Sequence, residues 1–291
     1  MSKQRIAVVT GASSGFGRLT AEALGADGWH VFGAMRNVKT KNAEAAAKLR
    51  AGGADVVELD VTDDASVDSA AATILARGTP DLVVNNAGTA FFGVEESFSP
   101  KLVERQFATN VFGPLRVNRA FLPAMRERRA GLIVFVSSIV GRTTFPLGGV
   151  YASSKWALEA LAETSSYELA PFGVDVAIVQ PGAFHTEIGN NRTEPDDTAR
   201  AQSYGAAARR FFAVMETLST SAEGRDPADV ARAIVHLANL PAGSRPLRTL
   251  VPNDEHIAAI NATAGQVQAG LLRSMGLEDL LPKASSAGSA V

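Results

Sequence analysis

Cysteine is missing altogether. That excludes disulfides, thiolate catalysis and a cysteine-based zinc site, and it is compatible with a reducing cytosol. Histidine is scarce: the four residues His30, His185, His236 and His256 are scattered without metal-ligand spacing, so no metal is expected. Net charge is nearly absent, because 28 Lys and Arg stand against 30 Asp and Glu, leaving −2. The composition therefore gives no electrostatic reason to expect nucleic acid as a partner. Long apolar runs are lacking as well. Leu132 to Val136 is among the longest and is far too short to span a bilayer. Met1 to Arg5 leads straight into Ile6–Val9 with no secretory h-region or cleavage site. The expectation is a soluble, cytoplasmic protein without a membrane partner.

What remains is a chain of 291 residues, 46% hydrophobic, with material for a sizeable core. Short β-branched runs alternate with Ala-rich stretches of helical period, the pattern of βαβ units on a parallel sheet. Strands are expected at Ile6–Val9, His30–Ala34, Asp55–Leu59, Asp81–Val84, Leu132–Val136, Asp175–Val179 and Thr249–Val251. Helices are expected at Gly17–Ala26, Ala43–Arg50, Asp64–Arg77, Pro100–Arg128, Ser153–Ala170, Pro227–Leu240 and Asp254–Leu272. The fold class is α/β, a Rossmann-type doubly wound sheet of seven mostly parallel strands with helices on both faces. Residues 1–280 read as one domain. The stretch from Gly182 to Asp226 is too long for an ordinary connection and reads as a lid, about 183–225, or an inserted helical piece. Residues 281–291 have the composition of a disordered tail.

Chemistry-bearing residues gather where expected strands end. The first strand runs into Gly11-Ala12-Ser13-Ser14-Gly15-Phe16-Gly17 and then a helix. Glycines let backbone approach a pyrophosphate, and the helix start offers unpaired N–H groups. The second strand ends at Arg36, with no carboxylate to accept from a ribose 2′-OH; an Arg there suits the 2′-phosphate of NADP, or is simply a solvated loop residue. Ser14 can add a hydroxyl to the same group. Asp60 and Val61 close the third strand, where Asp60 either accepts from an adenine amino group or marks a helix entry. Asn85-Asn86-Ala87-Gly88 closes the fourth, as a ligand-facing turn or an ordinary one. Tyr151 and Lys155 stand four apart, hence on one helix face. A cation beside a phenol favours the phenolate, which predicts a depressed Tyr151 pKa and a residue able to pass a proton to or from a substrate oxygen. The same spacing occurs on many solvated helices, so the pair alone decides nothing.

With these motifs in this order, residues 5 to 255 resemble a classical short-chain dehydrogenase/reductase. The likeness rests on Thr10–Gly17, Asp60, Asn85–Gly88, Asn110, Ser138 thirteen positions before Tyr151, Tyr151–Lys155, and Pro181-Gly182 with Thr186. Asn110–Gly113, Val150–Glu159 and Pro171–Val174 are similar to the branch holding the 17β-hydroxysteroid and retinol dehydrogenases. The resemblance implies an NADP(H)-preferring enzyme, with NAD(H) possible, acting on a small carbonyl or alcohol. It implies Tyr151 as general acid or base, Lys155 lowering its pKa and holding the nicotinamide ribose, and Ser138 orienting the carbonyl, with Ser137 as neighbouring alternative. Asn110 would hold a proton-supplying water, and Thr186 the carboxamide. It implies a homodimer or homotetramer through the helices near Pro100 and Ser153. The substrate wall is expected from Phe91-Phe92, from Arg142 to Val150 including Phe145 and Leu147, and from the lid with His185, Ile188, Phe211 and Phe212. Its mostly apolar character suits a bulky hydrophobic substrate, while Arg142, His185 and Arg192 leave room for a polar one.

Overall fold

The computed structural model describes residues 4–184, 193–220 and 224–281. Seven strands, β1 (Ile6–Thr10), β2 (His30–Met35), β3 (Asp55–Glu58), β4 (Leu82–Asn85), β5 (Gly131–Val136), β6 (Val174–Pro181) and β7 (Arg248–Val251), form one sheet in the order β3-β2-β1-β4-β5-β6-β7. Every pairing is parallel. The expected "mostly parallel" sheet is thus wholly parallel. Strand order reverses between β1 and β4, so a crevice opens there at the carboxyl ends of the strands.

Continuous β-branched runs make strands buried on both faces, which is why β1 is buried at every position. Helices α1 (Gly15–Ala26), α2 (Ala43–Ala51) and a later helix, Ala228–Asn239, cover one face with Leu24, Leu49, Ile234 and Leu237. Helices α3 (Asp64–Leu75), α5 (Gly113–Arg128) and α6 (Gly149–Leu169) cover the other with Ile74, Phe121, Met125 and Leu158. Between α6 and Ala228–Asn239 lie α7 (Thr198–Ser203) and α8 (Gly205–Thr220), so that later helix is α9; α10 (Glu255–Ser274) follows β7.

Two expected helices differ in ways that matter for the site. The stretch Pro100–Arg128 is not one helix. Helix α4 (Pro100–Phe107) passes into a wide π-turn at Ala108–Phe112 before α5 begins. Pro114 explains the break, since its ring cannot supply the N–H that the Asn110 carbonyl would accept in a regular helix. Helix α6 starts at Gly149, four residues before the expected Ser153, with Gly148 at its N-cap. Tyr151 therefore sits in the first turn of α6 and not ahead of it.

The segment after β6 contains two helices, α7 and α8, among its described residues. Its α7 and α8 are tied down by Asp196, which accepts from Ser99 N–H at 2.8 Å, and by Tyr204, whose hydroxyl donates to Glu96 at 2.9 Å. Of the expected disordered tail, 281–291, all but Leu281 lies outside the described residues.

Candidate active site

The crevice is built from a contact between two turns. Gly11 lies at φ +67°, and a Cβ there would stand 2.8 Å from the Cα of Ala87; one on Gly17 would stand 2.3 Å from Asn86 Nδ2 and Gly11 O. Only glycine allows this approach. Thr10, which opens the glycine motif, ties the turns together: its Oγ accepts from the N–H of Asn86 (3.0 Å) and of Ala87 (3.1 Å) and donates to Val84 O. Asn86 Nδ2 donates to Thr10 O at 2.9 Å, so this amide nitrogen shapes the turn. Above it, the first turn of α1 carries no acidic residue, and Ser14, its N-cap, makes no side-chain cap bond. The unpaired N–H groups of that turn and its dipole suit an anion. Ser13, Gly15 and Phe16 line the same rim, half-buried, and the Phe16 ring meets Phe184 edge-on at 5.5 Å. The cradle fits a dinucleotide.

Next along the sheet edge, Arg36 is 65% exposed with its guanidinium 3.7 Å from Asp60. Its loop is fixed by Glu58, which accepts from Val38 N–H at 2.9 Å and also from Asn37 N–H. Asp60 accepts from the N–H and hydroxyl of Thr62 at 2.9 and 2.7 Å. Partial burial opposes its ionisation, but the Thr62 bonds and the Arg36 charge outweigh this and hold the carboxyl below its ordinary range. The helix-entry role belongs to Asp63, which caps α3 through Ser66 N–H. Val61 is buried core against Gly113.

The proton-handling residues meet between β4, β5 and α6. Asn110, in the π-turn, is buried, and its amide is engaged by protein: Nδ2 donates to Thr89 O (2.9 Å) and Ser154 Oγ (3.0 Å), while Oδ1 accepts from Thr89 N–H (2.9 Å). Lys155, 5% exposed, donates to Val136 O at 2.9 Å. A Cβ on Gly88 would lie 3.5 Å from Asn110 Oδ1 and 3.9 Å from Lys155 Nζ, so the three converge. Ser138 Oγ accepts from Val140 N–H at 3.3 Å and donates to the carbonyl of Pro181 at 3.4 Å, at the end of β6, and its hydroxyl favours ionisation of the Tyr151 phenol; Gly182 follows, donating to Val251 O. Ser137 is buried with its hydroxyl among the groups lacking a protein partner.

One expectation is reversed here. Loss of solvation pushes the Tyr151 phenol up to about 12, against the Ser138 hydroxyl that lowers it. Lys155 sits 5.8 Å from the ring centroid and does not reverse this. The lysine itself is brought down to about 8 by burial, with Glu159 acting to raise it.

On the substrate side, Phe92 meets the Tyr151 ring at 5.4 Å and Phe145 at 6.2 Å. Leu147 packs with Val94, Ala208 and Phe211, so the segment after β6 reaches this wall. Phe91 belongs elsewhere: it is core, stacked on Phe98. Arg142 is not on the wall either. Its side chain is 12% exposed and lies 4.0 Å from Glu159 and 3.9 Å from Glu163, because those carboxylates draw it inward. His185, Thr186, Ile188 and Arg192 lie outside the described residues.

The sequence reading missed the polar layer beneath Tyr151 and Lys155. Glu159, 1% exposed, accepts from Gln180 Nε2 and Arg248 Nε, both at 2.9 Å. Glu163 accepts from Arg248 Nη2 (2.6 Å) and Tyr167 (2.8 Å), and Asn261 on α10 bridges Gln180 (2.7 Å) and Arg142 (3.0 Å). The available signal was spacing: 151, 155, 159 and 163 form one stripe along α6. Among the described residues, no group of three or more His, Asp or Glu could hold a metal, and no helix is long and apolar enough to cross a membrane.

The family model for short chain dehydrogenases matches residues 5–197. An uncharacterised oxidoreductase of Bacillus subtilis, YusZ, is 37% identical over 243 residues, covering 81% of this chain and 85% of its own. The 3-ketodihydrosphingosine reductase of Bacteroides thetaiotaomicron is 36% identical over 213 residues (73% and 76%). Human retinol dehydrogenase 8 is 33% identical over 250 residues (80% and 77%). Among solved structures, a short-chain dehydrogenase from Streptomyces avermitilis superposes with a TM-score of 0.77 at 34% identity, over 95% of this chain and 98% of that one. An alcohol dehydrogenase from Thermococcus sibiricus complexed with 5-hydroxy-NADP gives 0.68 at 29% identity (85% and 96%). A short-chain dehydrogenase/reductase from Burkholderia phymatum complexed with NAD gives 0.72 at 26% identity (99% and 99%).

Proposed function

Because this chain belongs to the short-chain dehydrogenase family, we propose that it is an NADP(H)-dependent oxidoreductase interconverting a bulky hydrophobic ketone or aldehyde and its alcohol. The observation that carries this reading is the seating of the Tyr151 ring against Phe92 at 5.4 Å, with Ser138 favouring ionisation of the phenol and Lys155 one helical turn behind it. The nicotinamide supplies or accepts the hydride when bound. Tyr151, protonated throughout the neutral range, donates its proton to the substrate oxygen in reduction and takes it back in oxidation. Ser138 gives that oxygen a second hydrogen bond as charge develops on it. Lys155 contributes a cation beside the phenolate that reduction leaves behind, and Asn110 with Thr89 and Ser154 fixes the floor on which Lys155 rests.

The residues that would hold the dinucleotide are Gly11, Ser13 to Gly17, Arg36, Asp60, Val61, Asn86, Ala87, Gly88, Asn110, Tyr151, Lys155, Pro181 and Gly182, with Thr186 as the sequence suggests. The exposed fork of Arg36 supports a 2′-phosphate; Glu58, the nearby carboxylate, is turned onto backbone N–H groups. The NAD-preferring alternative is favoured by Asp60, whose charge partly neutralises Arg36. Phe92, Phe145, Leu147 and Phe211 support an apolar substrate. The exposed Phe112, Leu115, Trp156 and Leu161 support a homodimer or homotetramer through the faces of α5 and α6.

A panel of ketones and alcohols with each cofactor, read by nicotinamide absorbance, tests the reading. Apolar ketones should be reduced faster with NADPH than with NADH. Arg36→Ala should lower the NADPH-to-NADH efficiency ratio by about tenfold or more, the worth of a charge-assisted bond. An unchanged ratio sinks the NADP assignment, and no turnover of any carbonyl sinks the reaction class.

A further inference from the structure

The stripe along α6 carries more charge than the reaction needs. Beyond Tyr151 and Lys155 come Glu159, Glu163 and Tyr167, faced by Arg142 from the turn after β5 and Arg248 from β7. Two carboxylates and two guanidiniums make this buried group neutral by itself. Lys155 is the surplus charge, and no carboxylate lies within ion-pairing distance of it among the described residues; its hydrogen bond goes to a carbonyl. Glu159 stands one turn away on the same face, at 1% exposure, with its headgroup pinned by Gln180 and Arg248. Its stem lies against the turn that follows Ser138, where a Cβ on Gly141 would meet it at 2.8 Å.

We propose that Glu159 is a positioning residue that keeps the ammonium on Lys155, with Arg142 and Arg248 setting how much of its charge the lysine feels. In a medium that screens poorly, a fixed carboxylate one helical turn away stabilises the lysine's cation, and each guanidinium withdraws part of that help. Geometry makes the two effects opposite in sign. Removing the carboxylate leaves three cations around one carboxylate, so Lys155 sheds its proton at lower pH. Removing Arg142 leaves two carboxylates facing one arginine, so Lys155 holds its proton to higher pH. A role in packing alone predicts no such opposition. The burial that brings Lys155 down to about 8, and the upward pull of Glu159, agree with this arrangement.

This inference rests on the proposed reaction, in which the protonated lysine is the working form. The test is the pH profile of kcat/KM for carbonyl reduction in the full chain and in Glu159→Gln and Arg142→Gln. Wild type should lose activity as pH rises through about 8. Glu159→Gln should move that basic limb down by about one pH unit, and Arg142→Gln should move it up by a similar amount. The titration of Lys155 itself, followed by NMR of 13C-lysine-labelled protein, should show the same two shifts without reference to turnover. Limbs or titrations that stay put, or move in the same direction, overturn the proposal. A wild-type protein without carbonyl reductase activity counts against the proposed reaction instead, and the NMR titrations then decide the charge coupling alone. If Glu159→Gln does not fold, Arg142→Gln still has to shift upward.

Discussion

Tyr151 separates two regions built on opposite principles. Beneath it, α6, β6, β7 and α10 close around Glu159, Gln180, Arg248 and Asn261, whose polar groups are matched with one another across four elements. Above it, Phe92, Phe145, Leu147 and Phe211 present apolar surface that is half-buried for the most part, and the neighbouring Phe212 is 50% exposed. The lower layer commits its carboxylates and amides to directional bonds and so fixes geometry. The upper layer makes only non-directional contacts, which suit a surface that must accept a ligand. In the proposed reaction, one side sets the chemistry and the other sets what reaches it.

The sharpest break of that division is at its border. Tyr151→Phe should reduce carbonyl reduction by about 10²- to 10⁴-fold while costing no more than about 1 kcal/mol of stability, seen as lost NADPH oxidation with a nearly unchanged urea midpoint. Glu159→Met should cost about 3 kcal/mol, because it leaves buried guanidinium charge uncompensated; a denaturation midpoint equal to wild type would show that the lower layer is not a structural unit. Lys155 works against stability. Its folded pKa of about 8 lies below the ordinary 10.5, so below pH 8 the fold carries a buried ammonium at a disadvantage. That disadvantage disappears as pH rises from 8 to 10.5, a gain of about 3 kcal/mol. Tyr151, raised from 10.0 to about 12, contributes the opposite slope above pH 10. The difference in stability between wild type and Lys155→Met, measured across this range, should rise with pH up to about 10.5. The smallest effect belongs to the upper layer: Phe211→Ala should raise KM about fivefold and alter the urea midpoint little, since only a half-buried ring is lost. If it unfolds the protein while Glu159→Met does not, the contrast between the layers is inverted.

The sheet was legible because strands such as Ile6–Thr10 and Leu132–Val136 write their burial on both faces as unbroken apolar runs. The glycine turn and the Tyr151–Lys155 pair were legible because local spacing alone brings their members together. What stayed hidden depends on distant partners. Nothing near residue 142 announces that Glu159 and Glu163 will turn its arginine inward, and nothing near Thr10 announces Asn86. The direction of the Tyr151 shift was misread for the same reason: a lysine four residues away is visible in the sequence, whereas desolvation is a property of the assembled site. The start of α6 was placed late because Gly148-Gly149 reads as a breaker and serves here as an entry.

The π-turn at Ala108–Phe112 has a consequence for which changes in chain length the site can tolerate. A ring that closes five residues on, and not four, stores one extra residue without lengthening the helix by a full step. Because the wide turn absorbs that residue, deleting Ala108 or Thr109 would return the segment toward ordinary winding with α4 and α5 facing nearly as they do now. The residues inside the turn would instead change their angle around the axis. Asn110 would then shift off Thr89 and Ser154, although every residue named at the site were still present. At this position the active site is specified by a count of residues as much as by their identity.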